Sequence, residues 1–576
     1  MPVRDATTEG RRYYGPERTL VDRLRVPMLL VVCMLMTRIC CGQHPAMTAR
    51  SSDDLQQLYE AAQREQSNGD FPRAAEDYEG FLATALRHLA EGHVHAGDYL
   101  GSAKFFEEAL AVVPKNAATD LRLAYAQAAL LARDMPTAKA QAQVVVTAEP
   151  KNSTARLVLG EALLQMDENA EARNQLETAV ALDPNYKNGL ALATAYLALS
   201  DTKNATRLFR EMSVGFGDKA AIHLDFGRAY AEAGDPDLAI AEFKKAISLD
   251  PRLPEAHYCL GASYLLSQGQ VGFPEAVKEF HRELELNPND YFSLAQLGYV
   301  AFTERRFAEA EASLKRAAAL DPRNPDNPLL LGQVYMQLNR PVEAEAALRK
   351  AIALTTDLAR NHYQVQRAHY LLGRLLVQTG HADEAKREMQ ISASLLKQNM
   401  MRDQAKLRGT AMGETVGIAP FERPLGQAPM DGKAKRELEG FAARTAPALA
   451  DSYNNLGAIA AGSDEFATAT GYFEKAAEWN PSLEGLDYNW GRAAFSANLY
   501  AQAVPPLSRY LAAHPQEQGA RRVLGLSYFM LKDYAAVVRT LEPIASSLAA
   551  TPQLANMYAQ AQTLAPVAKK GANAQP

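Results

Sequence analysis

The chain has few residues of the kinds that build a reactive centre or a disulfide framework. Three of its four cysteines, Cys33, Cys40 and Cys41, fall in the first 42 residues, which leaves Cys259 alone in the remainder. A single cysteine forms no intramolecular disulfide, so packing has to stabilise this part of the chain. The sequence also contains no Gly-rich phosphate loop, no nucleophile elbow and no oxygen-rich calcium loop. These absences predict a protein that is not an enzyme and that binds no cofactor.

Histidine is scarce too, and its densest cluster is a weak candidate for a metal site. His88, His93 and His95 lie in "RHLAEGHVHAG", where His88 and His95 fall two turns apart on one helix face. No cysteine or further histidine lies nearby in the sequence to complete a ligand set. His93 occupies a position typical of a packed side chain, and Cys259 lies on a helix face that we expect to be buried. The sequence therefore predicts no metal site and an unreactive, structural thiol.

Basic charge and long apolar runs are also missing. The net charge is -6 at pH 7, so no positive field attracts nucleic acid. An apolar run at residues 26–36 is only eleven residues long and follows a basic stretch at 23–25. A membrane-spanning helix needs about 20 apolar residues, so this run is typical instead of a secretory signal over residues 1–42. We expect a periplasmic or secreted protein, with an uncleaved N-terminal anchor as the alternative and as its sole route to membrane contact.

The sequence does contain a recurring motif that ends one helix and begins the next. It occurs as "AVALDPNYKN" at 179, "AISLDPRLPE" at 246 and "AAALDPRNPD" at 317, among other places. Its prolines stand at 114, 150, 184, 251, 288, 322, 447, 481 and 515, so most intervals are 34 residues or about twice that. A fixed period of this length indicates a stacked array of helix pairs.

Inside each period a second pattern indicates how the two helices pack. A Leu-Gly pair lies in the first helix, a small residue follows twelve positions after the glycine, and a bulky apolar residue follows four positions later. Leu456-Gly457, Ala469 and Phe473 form one such set, and Gly227, Ala239 and Phe243 form another in which Phe226 replaces the leucine. Small residues bring the two helices close where they cross, and the bulky residue fills the space beside the crossing.

This spacing resembles that of the tetratricopeptide repeat family, most clearly in "HYCLGASYLL…PEAVKEFHRELELNP" at 257–288. About thirteen units follow one another between residue 55 and residue 551. Ala126 and Ala193 depart from the pattern by replacing glycine, and Thr356 stands where proline is expected. With the secretory signal, the chain looks like an exported bacterial member. The resemblance implies an all-α fold, an α-solenoid superhelix of stacked antiparallel helix pairs in two blocks.

The resemblance also implies a function. In this family the first helix of each pair lines a concave groove, and the corresponding positions here are rich in aromatic residues, methionine and arginine, which suit a peptide-binding surface. These candidate groove residues are Tyr258, Tyr299, Phe302, Gln333, Met336, Tyr370, Arg374, Asn454, Tyr488, Arg492, Phe495 and Phe529. We expect a non-catalytic scaffold or adaptor that binds an extended peptide or a partner helix, in a cell-envelope assembly or secretion complex. The alternative is a module that binds a non-protein envelope ligand such as polysaccharide, because aromatic rings also stack on sugars.

The repeats divide the chain into predicted segments. Residues 1–42 form the signal, 43–54 a short linker, 55–400 an N-terminal array and 401–446 a helix extension with a Pro/Gly linker. Residues 447–551 form a C-terminal array, and 552–576 a capping helix and a disordered tail. The linker contains "GETVGIAPFERPLGQAPMDG" at 413–432, which holds three of the 30 prolines. It is either a hinge between arrays or, given its Val416, Ile418 and Phe421, a plug that lies in the groove.

Overall fold

The computed structural model describes residues 49–113, 118–355, 362–409 and 432–565. In these ranges every regular element is a helix, which confirms the all-α fold. The predicted signal at 1–42, the position of Thr356 and nearly all of the 413–432 segment lie outside the described residues. The described part of the chain falls into two compact units. The first unit comprises residues 167–409, and the second combines residues 49–166 with residues 432–565.

Thirteen of the described helices form the first unit, and six described helices precede them in the chain. Those six, which belong to the second unit, are α1 Ala49–Asn68, α2 Phe71–His95, α3 Tyr99–Val112, α4 Thr119–Ala132, α5 Met135–Ala148 and α6 Ser153–Gln165. The helices of the first unit are α7 Asn169–Leu182, α8 Tyr186–Ala198, α9 Thr202–Phe216, α10 Ala220–Glu232, α11 Pro236–Leu249, α12 Ala256–Gln268, α13 Phe273–Leu286, α14 Tyr291–Thr303, α15 Phe307–Leu320, α16 Asp326–Gln337, α17 Pro341–Leu354, α18 His362–Gln378 and α19 Ala382–Gly409.

The second unit is completed by the C-terminal helices. These are α20 Gly432–Gly462, α21 Phe466–Trp479, α22 Leu486–Ser496, α23 Tyr500–Ala513, α24 Gln518–Met530, α25 Tyr534–Leu541, α26 Ala545–Leu548 and α27 Pro552–Leu564. Helix α20 packs against α2, and one hydrophobic core joins Tyr78 and Phe81 of α2 to Phe441 and Leu449 of α20. The units therefore group the helices differently from the predicted division, which placed residues 55–400 together.

The helices begin where the sequence supplies a cap. Side chains of Asp70, Asp98, Asp134, Asn152 and Asn185 each accept a hydrogen bond from the backbone N–H three residues later. Such caps satisfy N–H groups that have no partner inside the helix. Proline occupies the first turn of α2, α5, α11, α13 and α17, where its missing N–H costs nothing.

The helix pairs cross at the glycines that the repeat pattern identifies. A Cβ atom added to Gly227 of α10 would lie 2.5 Å from Phe243 Cε1 of α11. The same contact recurs in the second unit, where a Cβ on Gly457 of α20 would lie 2.7 Å from Phe473 Cε1 of α21. Phe243 and Phe473 are both fully buried. The packing of glycine against a bulky residue is thus the local interaction that holds each pair together.

Two helices run through points where the repeat pattern predicts a break. Helix α2 continues from residue 71 to residue 95, although one unit is expected to start near residue 83. No proline interrupts "YEGFLATALRHLAEG", so every backbone N–H in it can continue the helix. Helix α20 continues through Pro447, although the sequence predicts a separate helix at 436–445. Pro447 and Ala443 are exposed, so water can bond the Ala443 carbonyl that loses its partner.

Candidate protein-binding surface

Two positions on the first helices of the first unit come into contact from one pair to the next. The first is the residue directly after the repeat glycine, and the second lies six residues before the following repeat glycine. Arg228, after Gly227, forms an ion pair with Glu255, the N-cap residue of α12. Gln333, after Gly332, accepts a hydrogen bond of 2.7 Å from Arg367 Nη2 of α18. These bonds show that successive first helices present the two positions on a shared face.

Two of the candidate groove residues in the first unit lie inside it. Tyr258 of α12 is only 8% exposed, and its ring packs 6.0 Å from the Phe280 ring and 5.5 Å from the Phe292 ring. Burial raises the pKa of the Tyr258 hydroxyl well above its ordinary value. Gln333 is 6% exposed. Both side chains are therefore part of the interior in this structure.

The other candidates of the first unit reach the surface. Tyr299 of α14 is 37% exposed and Tyr370 of α18 is 44% exposed. Arg374 is also exposed, one turn after Tyr370 on the same helix. Phe302 and Met336 are half-buried and pack against the core formed by α14 to α19. The structure thus places three aromatic rings, one methionine and one cation on three successive first helices, α14, α16 and α18.

The second unit places its five candidates on α20, α22 and α24. The Arg492 guanidinium lies over the Tyr488 ring at 5.4 Å, and that ring stacks on Tyr510 at 5.0 Å. Phe495 packs 5.5 Å from Tyr500, and Phe529 packs 5.8 Å from Tyr534, measured between ring centroids. Asn454, Tyr488, Phe495 and Phe529 are half-buried, whereas Arg492 is exposed. Tyr488 and Arg492 are the candidates that the structure brings together here.

A repeated ion-pair arrangement in the first unit was missed from the sequence. Histidines four residues before a repeat glycine, His223, His257 and His369, each contact a glutamate on the second helix of the same pair. His257 Nδ1 lies 2.6 Å from Glu279 Oε2, and this hydrogen bond raises the pKa of His257 despite the opposing effect of burial. The offset of each histidine from the glycine was the signal that could have revealed them.

The second unit also contains a set of tyrosine–carboxylate bonds between its two chain segments. Tyr59 donates to Asp451 at 2.5 Å, Tyr453 donates to Glu108 at 2.8 Å, and Tyr472 donates to Glu79 at 3.3 Å. Burial and the Glu108 carboxylate raise the pKa of Tyr453 far above its ordinary value. Sequence reasoning missed these bonds because each joins residues more than 300 positions apart.

Two of the residues considered for metal binding or reactivity, Cys259 and His88, occupy packed positions, whereas His95 is exposed. Cys259 is buried, and burial raises the pKa of its thiol to about 11, which disfavours the reactive thiolate. His88 packs its ring edge-on against Phe441, and burial lowers its pKa. Within the described ranges, no group of three or more His, Cys, Asp or Glu side chains is placed to hold a metal ion. None of the helices in those ranges combines the length and apolarity that a membrane crossing requires.

Comparison with known proteins agrees with the repeat pattern. Family models described as tetratricopeptide repeat match residues 153–186, 301–363, 259–325 and 488–536, and a model described as TPR repeat matches 227–268. Superkiller complex protein 3 of Mus musculus is 30% identical over 144 residues, which cover 24% of this chain and 9% of that protein. Putative cellulose synthase operon protein C of Escherichia coli O157:H7 is 33% identical over 138 residues, or 22% of this chain and 12% of that protein.

Among solved structures, MamA 41-end from Desulfovibrio magneticus RS-1 is 23% identical, with a TM-score of 0.28. The match covers 32% of this chain and 97% of that one. By contrast, the chain spans only 9% and 12% of the two curated relatives, the mouse and Escherichia coli proteins. The matched ranges lie in both units, and one of them, residues 227–268, contains the crossing of Gly227 with Phe243 described above. The chain is a tetratricopeptide repeat protein.

Proposed function

We propose that this protein is a non-catalytic scaffold or adaptor that binds an extended peptide or a helix of a partner protein. The observation that carries the proposal is the exposure of Tyr299 and Tyr370 beside the half-buried Phe302 and Met336 on successive first helices. Large rings at a surface lose little conformational entropy on binding and offer much contact area. Tetratricopeptide repeats commonly serve protein–protein interaction, and these side chains supply the contacts.

The spacing of these helices suits an extended ligand. Packed helices lie about 8–10 Å apart, and an extended chain advances about 3.3 Å per residue. A peptide that crosses α14, α16 and α18 would therefore place about every third side chain over a new helix. Because Phe302 and Met336 are held by the core of the unit, the surface is ordered before the ligand arrives, which lowers the cost of binding.

Site-specific photocrosslinking in the native host tests the proposal. A photoreactive amino acid at position 370 should capture a defined protein, and the same amino acid at Val342 should not. Val342 is an apolar residue on the second helix α17 and is even more exposed than Tyr370. Replacing Tyr299 and Phe302 by alanine together should then abolish the capture at position 370. A matched double variant, Val214→Ala with Val271→Ala, removes exposed apolar side chains elsewhere and should leave the capture intact. Undiminished capture by the Tyr299/Phe302 variant would sink the proposal.

A second candidate function is the binding of an envelope polysaccharide. It is favoured by the stacked pair of Tyr488 and Tyr510, followed by His514 at 4.5 Å from Tyr510, because such rings can stack on sugar faces. An array of purified envelope glycans, probed with the intact protein and with Tyr488→Ala, separates the two functions. Binding of a glycan that depends on Tyr488, without any protein captured at position 370, would favour the polysaccharide module.

We further propose that the protein is exported and acts in a cell-envelope assembly or secretion complex. The support is the short apolar run at 26–36 behind a basic stretch. Fusing residues 1–48 to alkaline phosphatase, which is active only after export, tests this. Replacing Leu29 and Leu30 by arginine should abolish the phosphatase activity. N-terminal sequencing of the exported protein should show a start near Gln43, and a start at Met1 would instead indicate an uncleaved anchor.

A further inference from the structure

One contact between successive first helices of the first unit is missing at the equivalent position of the second unit. In the first unit, Arg228 follows a repeat glycine and pairs with the carboxylate of Glu255, six residues before the next repeat glycine. In the second unit, Arg492 follows Gly491, and the residue six positions before Gly525 is Gly519. Gly519 has no side chain, so the chain itself offers Arg492 no carboxylate from that position.

The surroundings of Arg492 agree with this. Within the described residues no carboxylate oxygen lies within 4.0 Å of the Arg492 guanidinium, although it is exposed and stacked on Tyr488. A Cβ atom added to Gly519 would lie 3.4 Å from the Tyr488 hydroxyl and 3.8 Å from Glu517 Oε2, which is ordinary contact. A Cβ atom therefore fits over Gly519 without a clash, at a point bordered by Glu517 and by the same tyrosine that supports Arg492. We call this space, bounded by Tyr488, Arg492 and Gly519, the arginine notch.

The helix that carries Gly519 also carries a second arginine with few hydrogen bonds. Arg522 follows Gly519 by one turn on α24, and its Nε–H is buried without a hydrogen-bond acceptor. Its Nη2 makes only a long bond of 3.4 Å to Gln518. Residues 486–533 carry five basic and three acidic side chains, whereas the whole chain has a net charge of -6. This part of the protein is thus locally positive, and an anion is the complementary ligand.

We propose that the arginine notch binds an acidic side chain of a partner protein. The carboxylate would occupy the place relative to Arg492 that Glu255 occupies relative to Arg228, and the Tyr488 hydroxyl would donate a second hydrogen bond to it. A charged acceptor suits a guanidinium better than a neutral one, because the bond is charge-assisted. The proposal rests on the proposed scaffold function and specifies the chemistry of the ligand in the second unit.

Fluorescence anisotropy with the full chain and a labelled octaglutamate peptide tests it, with octaglutamine as the uncharged probe. Wild type should bind octaglutamate at least about tenfold more tightly than octaglutamine, and raising the salt concentration should weaken the binding. Arg492→Gln should weaken binding of octaglutamate by about tenfold or more. Arg228→Gln is the matched control, since Arg228 already has its carboxylate, and it should change the affinity by less than about twofold.

Filling the notch provides a sharper variant. Gly519→Glu supplies the missing carboxylate, so it should weaken binding as strongly as Arg492→Gln, whereas Gly519→Gln has the same size and should weaken it by less than about threefold. An acidic residue in the first turn of α24 is compatible with folding, because the helix dipole favours negative charge there. Equal effects of the Glu and Gln substitutions would overturn the proposal.

A heparin octasaccharide serves as a second anionic probe. Binding of heparin that depends on Arg492, without binding of octaglutamate, would overturn the proposal in favour of a sulfated glycan. Octaglutamate binding that ignores both Gly519→Glu and Arg492→Gln would also overturn it. Neither result bears on capture at position 370, which tests the scaffold function in the first unit, so the two failures can be told apart.

Discussion

Tyr453 donates a hydrogen bond of 2.8 Å to Glu108, a carboxylate 345 residues earlier in the chain that is only 7% exposed. Trp479 Nε1 donates to the same Glu108 oxygen at 3.2 Å. The two donors belong to α20 and α21, and the acceptor belongs to α3, so one buried carboxylate joins the two segments of the second unit. Lys475 Nζ lies 3.9 Å from the other carboxylate oxygen.

Removing the Tyr453 hydroxyl should destabilise the second unit. Tyr453→Phe keeps the ring but takes a donor from a buried charge, which typically costs about 1–3 kcal/mol. Urea denaturation followed by circular dichroism measures the change. Tyr500→Phe, which removes a hydroxyl bonded to Asn498 at the surface, is the control and should cost less than about 0.5 kcal/mol. Equal costs for the two variants would show that Glu108 does not depend on Tyr453.

Cutting the chain between the described segments should leave its two parts associated. A specific protease site inserted after Gln427 allows the folded protein to be cleaved between α19 and α20. Because α2 and α20 share one core, both fragments should elute together in gel filtration without denaturant. Phe441→Asp places a charge in that core, and after the same cleavage its fragments should separate. Separation of the wild-type fragments would show that the shared core does not hold them.

The two glycines of one helix pair should respond to alanine in opposite directions. Gly457→Ala puts a Cβ atom 2.7 Å from Phe473 Cε1, so it should destabilise the protein by about 1–3 kcal/mol through overpacking. Gly471 lies on the exposed face of α21 with no atom within 4 Å of the added Cβ. Gly471→Ala should therefore stabilise the helix by about 0.5–1 kcal/mol. Thermal unfolding of the two variants gives the sign of each change.

The His257–Glu279 pair should make stability depend on pH in the first unit. The bond to Glu279 raises the pKa of folded His257 above its ordinary value, about 6.5 in the unfolded chain. The pair therefore stabilises the protein fully below about pH 6.5 and loses this effect as the pH rises through the folded pKa. Glu283 and the Pro251 carbonyl also face His257 and act in the same direction.

Urea denaturation at pH 5.5 and pH 8.5 measures this dependence. The difference in free energy of unfolding between wild type and His257→Gln should be larger at pH 5.5. His281→Gln, at an exposed position of α13, provides the comparison and should show no such difference. A pH-independent cost of His257→Gln would mean that the histidine acts only through packing.

The repeat period was enough to predict the helix pairs and their crossings. The spacing from Gly227 to Phe243 is local, and it expresses a packing constraint that any such pair must meet. The joining of α2 to α20 was not predictable in this way, because it depends on contacts such as the hydrogen bond from Asn455 Nδ2 to the Tyr78 hydroxyl, which spans 377 residues. The sequence did not predict that α2 and α20 are continuous helices. The repeat period marks where helices are expected to end, but it does not show that a residue able to end a helix is present there.

The candidate surface was predictable in position but not in exposure. The offset from the repeat glycine places Tyr258 and Tyr370 at equivalent positions, three residues before Gly261 and Gly373. Phe292 of α14 covers Tyr258, which lies on the preceding first helix. Tyr370 lies on α18, which is the final first helix in the described part of its unit, and its side chain is 44% exposed. Exposure therefore depends on the size of a side chain in the neighbouring pair. The position of a residue within its own repeat gives no information about that side chain.

The core shared by α2 and α20 also sets the order in which the protein can be completed during synthesis. Phe81 is made about 360 residues before Phe441, and ribosomes add about 5–20 residues each second. The apolar face of α2 must therefore wait about 20–70 seconds for its partner. During that interval the face of α2 that α20 covers in the folded protein lacks this partner. The second unit is therefore completed only when the last quarter of the chain has been made.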